Sequence, residues 1–234
     1  MIDELLSFEA IARPRRPPPL EAVFPDARIV AMGHAAARGD VARIRAIEAA
    51  SAADAGGPVD INAASPAGAN LLMYEIAARD EAAQRALLEA GADPNHVTPR
   101  GDSPMLAAAL TEETRELALL LDNGGDPNLR DKRGEPLLIR VIYAGRWNNV
   151  DLLLARGANI NAPDPSGQTP VFLLANIGQY EQVLRFLDRG ADPEPADSTG
   201  RTLRGVVEKA RIPPESPQAA WHAKVAERLG VKAG

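Results

Sequence analysis

Glycine recurs along this chain at a fixed step of 33 residues. Positions 68, 101, 134, 167 and 200 keep the step, and so does a second set at 91, 124, 157 and 190. A period of this length constrains the fold more than any other property of the sequence. Each unit is one supersecondary structure too small to bury an apolar face alone, so neighbours must stack into a continuous core. Length then counts repeats, and the 234 residues read as one continuous array. Hydrophobic residues make up 45% of the chain but aromatics only 4%. The core is therefore expected to be Ala, Leu, Val and Ile, which suits thin helical layers.

Within each unit the elements follow from local chemistry. Two residues after the first glycines stand Asn70, Ser103, Pro136, Thr169 and Thr202. Four of these five side chains can cap a helix N-terminus, and Pro104 and Pro170 fall in the first turn, where a missing N–H costs nothing. A first helix is expected to open at each of these points. A second follows after a short turn, with Leu87 and Leu88, Leu120 and Leu121, Leu153 and Leu154, and Phe186 and Leu187 in matching columns that read as the core of the stack. GADPN, GGDPN, GANIN and GADPE come next. Glycine there supplies the left-handed residue that ends a helix, and the following Asp or Asn shapes a turn. The chain then returns through a hairpin-like finger.

The ends depart from strict periodicity. Residues 2–11 suit a short amphipathic helix, and Arg13 to Pro19 an extended strap, because successive prolines remove donors and fix φ. Arg13, Arg15 and Arg16 read either as a solvated linker or as a docking motif for an aromatic-walled groove. A first repeat begins at Ala27 with helices over IVAMGHAAARGD and VARIRAIEAA, the latter placing Ile44 and Ile47 on one face. Its Asp60 to Asn62 signature arrives late, which assigns the extra residues to a loop around Ser51 to Gly57. The last unit, from Gly200, is expected to have a shortened first helix, the spacer IPPESP and a helix from about Gln218 to Leu229, and to cap the stack. The expected organisation is a helix and Pro-rich strap over 1–26, a first repeat with its insertion over 27–67, four repeats over 68–199 and a capping repeat over 200–234.

The units resemble the ankyrin repeat, which carries G-x-T-P-L-H at its first helix and L-L-x-x-G-A-D-x-N at the end of its second. Gly167, Thr169 and Pro170, with Gly101, Ser103 and Pro104, carry the first part; Leu87 to Asn95 and Leu153 to Asn161 carry the second. The resemblance spans roughly residues 27 to 230. It implies an all-α ankyrin-repeat solenoid of 33-residue helix-turn-helix units with hairpin-like fingers. It also implies that finger tips and exposed first-helix positions form a concave face that binds other proteins. Two departures stand out: Pro136 lies one position early, and Glu75 fills a column the family usually gives to Ala. Glu75 reads as a side chain turned out to the concave surface, or else as a buried carboxylate with a raised pKa.

Mapped residue by residue, the family's exposed columns hold Arg100 and Asp102, then Lys132, Arg133, Glu135 and Tyr143, then Ser166, Gln168 and Asn176, and finally Arg201. Trp147 and Tyr180 open second helices and are read, like those columns, as partner-binding surface residues. Arg, Tyr and Trp are enriched in binding hot spots, which makes Arg130, Lys132, Arg133, Tyr143, Arg146 and Trp147 the favoured centre. The alternative is that Trp147 packs between repeats and the charges form a solvated face.

Nothing in the sequence assembles an active site. His34, His96 and His222 fall on three separate units, which excludes a metal site or histidine dyad built from them. No glycine run has phosphate-binding spacing. No catalysis, cofactor or metal is expected. The net charge of −6 and pI near 5.2 argue against general attraction to nucleic acid or anionic membrane. The chain has no cysteine and hence no disulfides. With no signal-like or long apolar run, it is expected to be a soluble cytoplasmic monomer when unbound, or periplasmic if this is a trimmed form.

More narrowly, FPDARIVAMGHAAARGD, the GGDPN at Gly124 to Asn128, Trp147 ahead of NNVDLLLARGANIN, and the tail TGRTLRG with SPQAAW are similar to bacterial ankyrin immunity proteins. That resemblance implies a partner of the lipase or phospholipase type exported by type VI secretion, inhibited by covering its active-site mouth. An effector acting in the periplasm would require an exported inhibitor. A general scaffold or adaptor, or an ankyrin effector engaging another protein, is the other reading.

Overall fold

The computed structural model describes residues 17–51 and 59–232. The helix expected over 2–11, the arginines at 13, 15 and 16, and nearly all of the loop around 51–57 lie outside the described residues. Within them the chain forms thirteen helices: α1 (Leu20–Val23), α2 (Ala27–Ala36), α3 (Val41–Ser51), α4 (Leu71–Ala78), α5 (Glu81–Ala90), α6 (Pro104–Ala109), α7 (Arg115–Asp122), α8 (Leu137–Tyr143), α9 (Trp147–Ala155), α10 (Pro170–Asn176), α11 (Tyr180–Asp188), α12 (Leu203–Lys209) and α13 (Ala219–Leu229). From α2 onward they pair as six helical hairpins. The first helices α4, α6, α8, α10 and α12 stack one on the next, and second helices pack alongside them, α3 on α5 and α11 on α13. This is an all-α repeat solenoid. Its only bridges among the described residues are two isolated antiparallel ones across fingers, Arg130 to Pro136 and Ala196 to Thr202.

Helix starts follow the capping chemistry in three of the four places where it was expected. Asn70 accepts from the Met73 N–H at 2.9 Å, Ser103 from Leu106 at 3.1 Å and Thr202 from Gly205 at 3.2 Å. Thr169 makes no such bond, and α10 simply opens on Pro170. Gly91 ends α5 in the left-handed region at φ 117°, its N–H donating to the Leu87 and Leu88 carbonyls. The capping unit differs from expectation in one respect: α12 has seven residues, as do α8 and α10, so its first helix is not shortened.

The core is one continuous cluster. Leu87, Leu120, Leu153 and Phe186 are buried in matching columns, while Leu88, Leu121 and Leu154 are partly buried against them. At about 25 cal/mol per Å² of apolar surface, each fully buried Leu stabilises the stack by roughly 1.5–3 kcal/mol relative to exposure. The two ends are closed differently. At the N-terminal end Leu20, Val23 and Phe24 bury against the first units, Phe24 meets Tyr74 edge-on at 6.0 Å, and the Tyr74 hydroxyl donates to the Pro18 carbonyl at 2.7 Å. At the C-terminal end His222 of α13 packs edge-on against Tyr180 at 4.7 Å and bonds the Val207 carbonyl at 2.8 Å.

Glu75 overturns its first reading. It is 4% exposed, and burial, with the nearby Asp80 charge, pushes its carboxyl up to about 8. Its 33-step equivalents Ala108, Val141, Leu174 and Val207 are all fully buried. That column faces the interior, so a side chain there has no route out to the concave surface.

Candidate protein-binding surface

Each finger is built on the same short-range bonds. At the base, an Asp or Asn side chain accepts the N–H two residues on: Asp93 from Asn95, Asp126 from Asn128, Asn159 from Asn161 and Asp192 from Glu194, at 2.8–3.0 Å. The Asn at the end of that turn then reaches the next repeat. Asn62, Asn95, Asn128 and Asn161 accept from the N–H of residues 93, 126, 159 and 192 at 2.7–2.8 Å, and Asn95 and Asn128 also donate to the Gly124 and Gly157 carbonyls. This ladder fixes finger spacing. It stops at Glu194, which has no amide to continue it and instead pairs with Arg204 at 2.8 Å.

At the finger tips a second column decides the turn. Asp131 Oδ1 accepts from Arg133 and Glu135, Asp164 Oδ1 from Ser166 and Gln168, and Asp197 Oδ1 from Thr199 and Arg201. The Thr199 hydroxyl, then the Arg201 backbone and guanidinium, hold the Asp197 carboxyl well below the usual carboxylate range. In the two earlier fingers Ser65 and Thr98 occupy this column, and their hydroxyls are buried without a partner. The three aspartates were missed in the sequence, although their 33-residue spacing was visible there.

Most predicted cations turn out to fasten one finger to another. Arg100 donates to the Pro66 carbonyl at 3.0 Å, Lys132 to Pro99 at 2.9 Å, and Arg130 to Gly134 at 2.7 Å and Pro163 at 2.9 Å. The stem of Lys132 lies so close over Gly101 that a Cβ there would sit 2.9 Å from it, at a backbone φ of +92°. Glycine is thus required for the turn and for the fastening together. Arg146 donates to the Leu110 carbonyl at 2.9 Å in the turn of the preceding repeat. The face stays open around these bonds: Arg100, Arg130, Lys132 and Arg133 are exposed, and Asp102, Glu135, Arg146 and Gln168 are half-buried.

Tyr143, at the end of α8, is 57% exposed. Burial of part of the ring, then the Glu135 and Asp164 charges, raise its hydroxyl pKa. Arg140 lies within 3.5–3.6 Å of Asp131 and Glu135, and Asn176 donates to Gln168 at 2.9 Å one repeat further on. Trp147 is partly buried against the core. Tyr180 does not belong to this surface. It is 2% exposed, its position at the start of α11 being covered by α13, whose preceding Gln218 accepts the Tyr180 N–H at 3.0 Å.

A family model described as ankyrin repeats, in three copies, matches residues 72–164 and 105–197, together more than half of the chain. This chain belongs to the ankyrin-repeat family. No curated protein sequence matches it. Its fold is similar to the crystal structure of EF0377, an ankyrin repeat protein, with a TM-score of 0.62 over 86% of this chain and 97% of that one, at 23% identity. Ankyrin repeats indicate a protein-binding module, and among the described residues no helix is long and apolar enough to cross a membrane.

The ankyrin stack also carries a recess that the sequence did not announce. About 740 Å³ in volume, it lies between the ends of α10 and α12, the last finger and the segment after α12. Ala175, Ile177, Val206 and Ile212 line it together with Asn176, Arg201 and Lys209. Three of the predicted residues, Asn176, Tyr180 and Arg201, are thereby brought together, Tyr180 as a buried part of the lining. Lys209 and Ile177 were not foreseen, although Lys209 follows Tyr143 and Asn176 in the same 33-residue column and extending that column one repeat would have found it.

Proposed function

We propose that this ankyrin chain is a protein-binding module without catalysis of its own and, more narrowly, an immunity protein that binds and inhibits a cognate lipase-type effector of type VI secretion. The organisation we read is an N-terminal segment over 1–26, a first repeat with its insertion over 27–67, four regular repeats over 68–199 and a capping repeat over 200–234. The observation that carries the binding reading is Tyr143, a large aromatic more than half exposed on the repeat whose finger holds Arg130 and Lys132, surface cations already fixed by hydrogen bonds to the neighbouring fingers. Groups held in place before binding lose less entropy on association, and exposed Tyr and Arg are what hot spots are made of. Arg100, Asp102, Arg130, Lys132, Arg133, Glu135, Tyr143, Arg146, Gln168, Asn176 and Arg201 form the assigned face, with Trp147 supporting it from the core side. The narrower reading rests on the sequence features quoted above, and places the chain in the cytoplasm or, for a periplasmic effector, outside it.

Co-expression with the product of the adjacent gene tests both levels. A stable complex that suppresses lipase activity in proportion to added chain is the expected result. An adjacent lipase that neither binds nor loses activity would end the immunity reading. A tight complex with a non-enzyme would favour the scaffold or adaptor reading.

A further inference from the structure

We propose that the recess at the C-terminal end of the finger face takes an extended acidic segment of a protein partner, with an apolar side chain in the cavity and flanking carboxylates on Lys209 and Arg201. The inference deepens the protein-binding reading and rests on it. Three features on the molecule carry it.

The first is charge. The chain as a whole is acidic, at net −6, yet the recess is lined by Arg201 and Lys209 and by no carboxylate. Glu208 and Glu215 follow in the same stretch but do not line it. Along the same face Arg100, Arg130, Lys132 and Arg133 are exposed while Asp102 and Glu135 are half-buried, so on an acidic protein the more accessible charges of this face are cationic. Such a patch attracts acidic segments and repels basic ones.

The second is the state of the two cations. Lys209 is exposed, and while its carbonyl accepts from Arg211, its side-chain ammonium has no ion pair or hydrogen bond among the described residues. Arg201 is held at 2.7 Å by Asp197, with its guanidinium carbon 5.6 Å from the centre of the Phe172 ring. One cation is therefore available and the other pre-positioned, which lowers the ordering cost of binding.

The third is shape. The recess is floored by Ala175, Val206, Ala210 and Ile212, and Ile177 at its rim is 43% exposed, one of only two large hydrophobics exposed among the described residues. A volume of about 740 Å³ falls within the roughly 300–1,000 Å³ that ligand pockets occupy. It accommodates a side chain or two of an extended chain and is too small for a folded surface. Asn176 lines it one repeat on from Tyr143, so a segment seated here continues onto the face proposed above.

Panning a random peptide library on the immobilised full chain tests this, with enriched peptides titrated by fluorescence anisotropy. The expected consensus is a run of Asp or Glu around one Leu, Ile, Met or Phe. Its affinity should fall with added salt, and by roughly tenfold or more in the surface variants Lys209→Glu and Ile177→Ser, with each variant's melting curve confirming an intact fold. No enrichment, a neutral or basic consensus, or equal affinity for Lys209→Glu would overturn the proposal. So would self-association of the free chain that Lys209→Glu abolishes, since a second copy would then be the occupant. None of these outcomes touches the whole-partner titration above, which reads complex formation and inhibition directly.

Discussion

Replacing Glu75 with glutamine is expected to stabilise this protein at neutral pH and to leave it unchanged in mild acid. The carboxyl is 4% exposed in a column otherwise filled by Ala, Val and Leu, and its pKa is pushed from 4.5 to about 8, first by burial and then by Asp80. A carboxylate raised in this way holds its proton in the folded state after the unfolded chain has released it. The folded state is thus favoured fully below pH 4.5, and that advantage is lost progressively as pH climbs towards 8. At about 1.4 kcal/mol per pH unit, the span from 4.5 to 7 amounts to about 3 kcal/mol. Glutamine keeps the size and removes the titration, so its gain at pH 7 should approach that figure. For a chain of this length it corresponds to roughly 6–12 °C in Tm. Thermal melts of both proteins from pH 4.5 to 8 provide the check: the parent should decline relative to the variant, and the two should converge at the acid end. Parallel curves would show that Glu75 ionises freely, and the inward-facing assignment of its column would fall with them.

Other perturbations follow from single residues. Asn95→Ala removes the bonds to the Asp126 N–H and the Gly124 carbonyl and should cost roughly 1–3 kcal/mol in a denaturant titration; a neutral result would mean that the finger ladder does not stabilise the stack. Arg79 ends α4 at φ 58°, the one non-glycine with positive φ among the described residues, so Arg79→Gly should stabilise by about 0.5–1 kcal/mol, and a loss would mean the side chain matters more than the strain. Deleting residues 201–234 uncovers Tyr180 and the α11 face that α13 packs against, and light scattering after gel filtration should show aggregates in place of a monomer. Tyr143→Ala should leave the melting curve within about 0.5 kcal/mol of the parent while weakening partner binding by about 2 kcal/mol, roughly thirtyfold; unchanged affinity would move the recognition face elsewhere.

The fold was readable because its requirements are written many times over. Glycine every 33 residues, a capping residue two positions later and a leucine column all state the same unit, and each copy corrects errors in the others. Where only one copy speaks, the reading slipped. Glu75 has no counterpart of its kind in later units, so its polarity suggested an outward side chain, whereas its four apolar column-mates had already specified the interior. Tyr180 was placed on the surface from its position at the start of a second helix. The capping helix α13 that covers it comes 39 residues later, outside the period, and its packing direction is set by tertiary contact, not by any local signal.

The binding face was less legible for a reason that follows from the same periodicity. Recognition must depend on columns in which the repeats differ, because identical columns only hold the stack together. The column through Ala77, Leu110, Tyr143, Asn176 and Lys209 changes residue at every step and turns from apolar to polar at Tyr143, and its last three members lie where the exposed aromatic meets the recess. By contrast Arg100, Arg130 and Lys132 look like free surface charge in the sequence, yet each bonds a carbonyl of a neighbouring finger, a pairing of residues 33 or 34 positions apart that composition cannot reveal. A finger cation here has two loads, holding its neighbour and offering charge to a partner. Substituting one therefore alters stability and affinity together, whereas Lys209 and Tyr143, free of such fastening, separate the two effects.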